Sequence, residues 1–137
     1  MKDETSRRWM VVDNNSETLE AVRALLEALT KAEVCAYRSA TEALEAFVAA
    51  PESFGLVITD FEMPGMNGVD FRRHLQALWP ALKILLITGS GQFTEQSALQ
   101  SGFCGLLRKP FSLGALKAAV ERAKDSSTHR TELAATI

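Results

Sequence analysis

Five short apolar runs recur along the chain, each parted from the next by a stretch with helical spacing, and this alternation constrains the fold most. The runs are Trp9 to Val12, Glu33 to Tyr37, Gly55 to Thr59, Lys83 to Ile87 and Phe103 to Leu107. All but the second are nearly continuous in hydrophobicity, as strands covered on both faces must be. Strands and helices in strict alternation form a parallel sheet with helices on both sides, joined by right-handed crossovers. The expected class is therefore α/β, a doubly wound sandwich.

The helical stretches carry their own punctuation. Leu19, Val22, Leu26 and Leu29 fall on one face of a first helix. Ser39 followed by Glu42 is a capping-box pattern opening a second, with Leu44, Phe47 and Val48 on its apolar stripe and Pro51 at its end. Phe71, Leu75 and Leu78 mark a third, stopped by Pro80. A fourth runs from Thr94 to Gln100, with Gly102 suited to a left-handed position after it, and Ser112 caps a fifth that carries Leu113, Leu116 and Val120 and ends near Lys124. The reading gives a polar lead at residues 1–8, one domain at 9–125 and a loose tail at 126–137.

Charge and composition exclude several functions. Fifteen Lys and Arg stand against seventeen Asp and Glu, leaving no basic excess with which to contact nucleic acid directly. No apolar run approaches the ~20 residues that span a bilayer, and the charged start, Met1 to Arg8, does not read as a signal peptide. The chain is expected in the cytoplasm, without membrane insertion. The two cysteines, Cys35 and Cys104, are too few for a metal knuckle or a disulfide framework. No glycine-rich phosphate loop follows the first strand, which speaks against nucleotide or flavin binding.

In doubly wound sheets ligands gather at the carboxyl ends of the strands. The residues there are Asp13-Asn14-Asn15, Asp60-Phe61-Glu62, Thr88-Gly89-Ser90 and Lys109-Pro110. Two carboxylates, a hydroxyl and an amine on one rim suit phosphoryl transfer. The carboxylates offer hard oxygens to Mg²⁺ and one of them serves as nucleophile, while lysine and threonine neutralise and orient phosphoryl oxygens. Taken singly, each residue also has an ordinary structural use: Asn14 or Asn15 as a helix cap, Thr88 as a turn former, Lys109 as a loop lysine.

The stretch from Leu56 through Asp60-Phe61-Glu62-Met63-Pro64-Gly65 to Gly68 resembles the phospho-acceptor region of bacterial response regulator receiver domains, as does Leu106 to Phe111 with Lys109-Pro110. The resemblance covers Trp9 to Lys124. It implies a flavodoxin-like (βα)5 sandwich with strand order 2-1-3-4-5, which puts Cys35 and Cys104 at opposite edges as small buried residues. It further implies Asp60 as the phosphorylated carboxylate, Asp13 in the acidic pair holding Mg²⁺, Thr88 and Lys109 as phosphoryl contacts, and a cis Lys109-Pro110 bond. A histidine kinase or histidine phosphotransfer protein is then the phosphoryl donor, and no output domain is expected in the short stretch after Lys124. Gly65 and Gly68 are expected to let the loop turn back into the third helix.

Two positions depart from the family pattern. The second acid of the Mg²⁺-holding pair is replaced by Asn14, with Glu62, through backbone or side chain, as a further metal contact. The switch position, three before the lysine, holds Leu106 in place of an aromatic ring, and neither Phe103 nor Phe111 occupies it. These departures keep open a degenerate receiver that binds partners constitutively. A strand-terminal Asp nucleophile also keeps open a small phosphatase of the haloacid dehalogenase type, although that family wants an Asp where Glu62 stands.

Overall fold

Each of the five expected strands forms, and all pair in parallel. The structure, a computed structural model, describes residues 7–136, with side chains described for residues 7–125. The elements run β1 (Arg8–Val12), α1 (Ser16–Leu29), β2 (Val34–Tyr37), α2 (Ala40–Ala49), a 3-10 turn (Pro51–Ser53), β3 (Phe54–Asp60), α3 (Gly68–Leu78), β4 (Lys83–Thr88), α4 (Glu95–Gln100), β5 (Gly105–Arg108) and α5 (Leu113–Thr136). Strand order is β2-β1-β3-β4-β5, the doubly wound order expected. The sheet is in register from Trp9↔Leu56 to Val12↔Thr59 and from Leu56↔Lys83 to Asp60↔Ile87, so its carboxyl ends form one rim.

Side chains of a strand alternate between faces, and each central strand is apolar on both. Met10, Val12, Val57, Ile84 and Leu86 pack with Phe47, Phe71, Leu75 and Ala98 from α2, α3 and α4. Trp9, Val11, Leu56, Ile58, Leu85 and Ile87 pack on the other side with Leu19, Val22 and Leu26 of α1 and Leu116 and Val120 of α5. Burying each such large side chain contributes roughly 1.5–3 kcal/mol, which accounts for the insistence on apolar residues at both parities.

Local chemistry sets the helix starts. Asn15 caps α1, its side chain accepting from the Thr18 N–H at 2.9 Å. Ser39 accepts from the Thr41 and Glu42 N–H groups. Thr94 and Ser97 form a reciprocal capping box at α4, and Gly102 follows with φ +100°.

Several expectations need correction. Val48, Leu78 and Leu113 are exposed, because Ala43 and Phe47, Phe71 and Leu75, and Leu116 and Val120 already fill the inward faces of their helices. The fifth strand begins at Gly105 rather than Phe103, whose ring turns into the core. Cys35 and Cys104 are not joined in a disulfide and are only partly buried. The last helix does not stop near Lys124 but continues to Thr136, since no Gly or Pro interrupts the chain after Gly114. The expected loose tail is thus helical as far as Thr136, while Ile137 and residues 1–6 lie outside the described residues. Among the described residues no helix is long and apolar enough to cross a membrane.

Candidate functional site

Four strand ends deliver the expected side chains to one place. Asp60 closes β3 and Thr88 closes β4, while Asp13 follows β1 and Lys109 follows β5. Asp13, Asp60 and Thr88 are buried at 1%, 3% and 0% exposure, far drier than acids and hydroxyls ordinarily sit. Lys109 reaches across the rim, its Nζ lying 3.0 Å from Asp13 Oδ2 and 3.3 Å from Asp60 Oδ2. The Lys109-Pro110 bond is cis, as the resemblance implied.

One ammonium between two buried carboxylates leaves an excess of negative charge. Burial and then the neighbouring Asp13 charge push the Asp60 carboxyl above its ordinary value, against the pull of Lys109 and the Glu62 backbone N–H. Burial alone would depress the Lys109 ammonium, but Asp13 and Asp60 hold its proton and leave its pKa raised. The ion pair therefore secures the lysine's charge more fully than it relieves Asp60.

One oxygen in this group is left over. The Asn15 N–H donates to Asp13 Oδ1 at 2.8 Å and the Lys109 ammonium faces Asp13 Oδ2 at 3.0 Å, whereas Asp60 Oδ1 is buried with no hydrogen-bond donor. Orphaned carboxylate oxygens cost free energy unless a cation or donor arrives. Hard anionic oxygens of this kind fit Mg²⁺, which accepts one or two carboxylates and keeps water in its remaining places.

The other expected metal contacts are less directly placed. Asn14 is exposed beside the site, and Asn15, not Asn14, takes up the capping role. Glu62 is exposed, and its carboxylate leans over the loop after β4, Oε1 lying 3.8 Å from where a Cβ on residue 89 would stand. No three His, Cys, Asp or Glu side chains among the described residues form a metal cluster, so the side-chain set here is the Asp13 and Asp60 pair.

The loop after Asp60 is shaped by its glycines for two different reasons. Gly65 takes φ +81°, where a side chain is strained. Gly68 has no such torsion. A Cβ there would stand 2.8 Å from the Asp60 carbonyl oxygen, so the start of α3 packs directly on the backbone of the phospho-acceptor candidate.

Sequence reasoning missed the partners of the β4–α4 loop. The Ser90 N–H donates to Thr88 Oγ1 at 2.9 Å, Arg108 donates to the Ser90 and Phe93 carbonyls, and the Phe93 ring meets Phe61 edge-on with centroids 4.8 Å apart. Leu106 is partly buried against the cluster that contains Phe93. An aromatic residue on each of two rim loops was the only signal in the sequence.

The family model of the response regulator receiver domain matches residues 9–121. The C4-dicarboxylate transport transcriptional regulatory protein DctD of Rhizobium meliloti is 34% identical over 116 residues, covering 84% of this chain and 25% of that protein. The transcriptional regulatory protein FixJ of Azorhizobium caulinodans is 32% identical over 111 residues, covering 80% and 51% respectively. The chain thus spans about a quarter to a half of the length of these curated relatives. A solved response regulator receiver domain from Clostridium thermocellum superposes with a TM-score of 0.76 at 30% identity, covering 93% of this chain and 98% of that one.

Proposed function

Because the chain belongs to the response regulator receiver domain family, a signalling family of two-component systems, we propose that Asp60 accepts a phosphoryl group from a phosphohistidine donor and that the modified domain then changes its affinity for a protein partner. The observation that carries this reading is the buried Asp60 carboxylate with one oxygen unsatisfied, beside Asp13 and under the Lys109 ammonium. An Asp60 Oδ atom bonds to phosphorus as the phosphorus–nitrogen bond of the donor breaks. The imidazole leaves with the electron pair and takes up a proton. Lys109, already charged, follows the negative charge from carboxylate to phosphoryl oxygen, and the Thr88 hydroxyl donates to a second phosphoryl oxygen. When bound at Asp13 and Asp60, with Asn14 and the Glu62 backbone beside it, Mg²⁺ supplies the additional positive charge that draws these oxygens together.

The domain works as a switch rather than as a turnover enzyme, and residues 9–125 are its functional unit. We assign the donor's part to a histidine kinase or a histidine phosphotransfer protein, docking beside Lys109. A groove of ≈ 440 Å³ beside Lys109 is lined by Thr18 and Ala21 of α1 and by Pro110, Phe111 and Leu113. The exposed Leu113 that breaks the expected helix stripe belongs to it. The cytoplasm is the compartment in which such donors act. Incubation with acetyl phosphate and Mg²⁺ tests the reading: intact mass should rise by one phosphate in the native chain and not in Asp60→Asn. Equal labelling of both proteins, or labelling of neither, would overturn it.

A further inference from the structure

Arg108 ends β5 directly before Lys109 and lies in register with Thr88 on β4. Its guanidinium is a planar fork, and both tines are used. Nη1 donates to the Ser90 carbonyl at 3.0 Å, and Nη2 donates to the Phe93 carbonyl. One side chain on β5 therefore grips the loop between β4 and α4 at two points.

Both points lead back to the rim that carries Asp60. The Ser90 N–H donates to Thr88 Oγ1 at 2.9 Å, which fixes the hydroxyl oxygen and leaves its hydrogen available to donate. At the other point, the buried Phe93 ring rests edge-on against Phe61, the residue that follows Asp60. Contacts thus run in a chain through Phe61, Phe93, Arg108, Ser90 and Thr88. At the position where the family pattern places an aromatic reporter, Leu106 packs into the cluster that holds Phe93 and Phe61.

We propose that Arg108 is a positioning residue for Thr88: its fork holds the β4–α4 loop in the arrangement of the unphosphorylated protein, and phosphorylation draws Thr88 and Phe93 away together, moving the start of α4 without a ring at position 106. The inference rests on the reading of Asp60 as the phospho-acceptor. Contacts made in only one of two states bias the equilibrium toward that state by their net worth, so loosening the fork favours the phosphoryl-bound arrangement. Arg108 is exposed, and its replacement opens no cavity in the core.

The test is a titration with beryllofluoride, a mimic of the phosphoryl group, at saturating Mg²⁺, read by backbone amide NMR in the native chain, Arg108→Ala and Arg108→Lys. Arg108→Ala should bind the mimic about fivefold more tightly, the shift expected for the loss of roughly one net hydrogen bond. In the free Arg108→Ala protein the Ser90 and Phe93 amides should already lie part-way toward their positions in the mimic-bound native chain. Arg108→Lys keeps the charge without the fork and should fall between. Affinity for Mg²⁺ alone should not change, whereas a general loosening of the site would alter it. Equal or weaker mimic binding by Arg108→Ala, or unmoved Ser90 and Phe93 amides, overturns the inference while leaving the phospho-acceptor reading intact. A native chain that does not bind the mimic at all overturns both.

Discussion

The two ends of the sheet bury charge in opposite ways. At the amino end Lys83 is 8% exposed, and its ammonium donates to the Lys124 carbonyl at 3.3 Å, while the Lys124 ammonium lies 5.8 Å from the Trp9 ring centroid. A cavity of ≈ 410 Å³ opens there, walled by Trp9, Leu29 and Leu56 together with Lys31, Lys83, Lys124 and Asp125. At the carboxyl end two carboxylates share one ammonium, and Asp60 Oδ1 is kept without a donor. That cavity lies at the end away from Asp13 and Asp60, and the candidate site sits at a shallow rim. What distinguishes the rim is unsatisfied charge, not volume. Its excess of anion is a standing cost to the fold, and in the proposed function it is what would attract a cation.

That contrast can be broken most forcefully at Lys109. Lys109→Ala leaves Asp13 and Asp60 buried with no counter-charge. It should lower unfolding stability at neutral pH by about 2 kcal/mol, below the ~3–5 kcal/mol of a fully buried pair because the ammonium is a quarter exposed. Chemical denaturation measures it, and an unchanged midpoint would mean that the pair was not strained.

Next in size is the metal. Asn14→Asp adds a carboxylate beside Asp13, and a titration should show Mg²⁺ binding about tenfold tighter. That is well under the ~4 kcal/mol of a bare charge pair at 4 Å, because position 14 is exposed. Glu62→Gln should alter Mg²⁺ affinity less than about twofold, since its carboxylate leans toward Gly89. A large loss there would restore the side chain as a metal contact.

The smallest effect is expected at the opposite end. Lys83→Met keeps much of the length and the apolar stem of the side chain. It should leave Mg²⁺ binding untouched. Coupling of this change to the rim would defeat the idea that the two ends are independent.

Much of this was legible in the residues themselves. Strand runs such as Leu56 to Ile58 announce themselves because both faces are covered, and Asp13, Asp60, Thr88 and Lys109 converge because parallel strands share a carboxyl end. Element ends were less legible. Val48, Leu78 and Leu113 have the right hydrophobicity for a stripe, but Ala43 and Phe47, Phe71 and Leu75, and Leu116 and Ala119 take the inward faces of their helices. The role of Arg108 was hidden for another reason. A guanidinium that binds backbone carbonyls leaves no trace in the identity of its partners, and Ser90 and Phe93 become neighbours of β5 only when the loop closes. The need for Gly68 was misread as torsional, when it is the nearness of the Asp60 carbonyl that forbids a side chain.

The claim that the rim holds anionic charge at the expense of stability is tested most directly by thermal unfolding of the native chain and Asp60→Asn across pH. Burial and the Asp13 charge raise the folded-state pKa of Asp60, so the folded protein binds a proton more readily than the unfolded chain does. Native stability contributed by this group is then lost as pH rises from the ordinary carboxylate value through the raised one. Asp60→Asn should therefore unfold a few degrees higher than the native chain at pH 7, the shift expected for roughly 1 kcal/mol in a domain of this size. The gap should close as pH falls below the ordinary carboxylate value, and also when Mg²⁺ saturates the native site. An Asp60→Asn protein that is less stable than the native chain at pH 7 without metal would contradict the account.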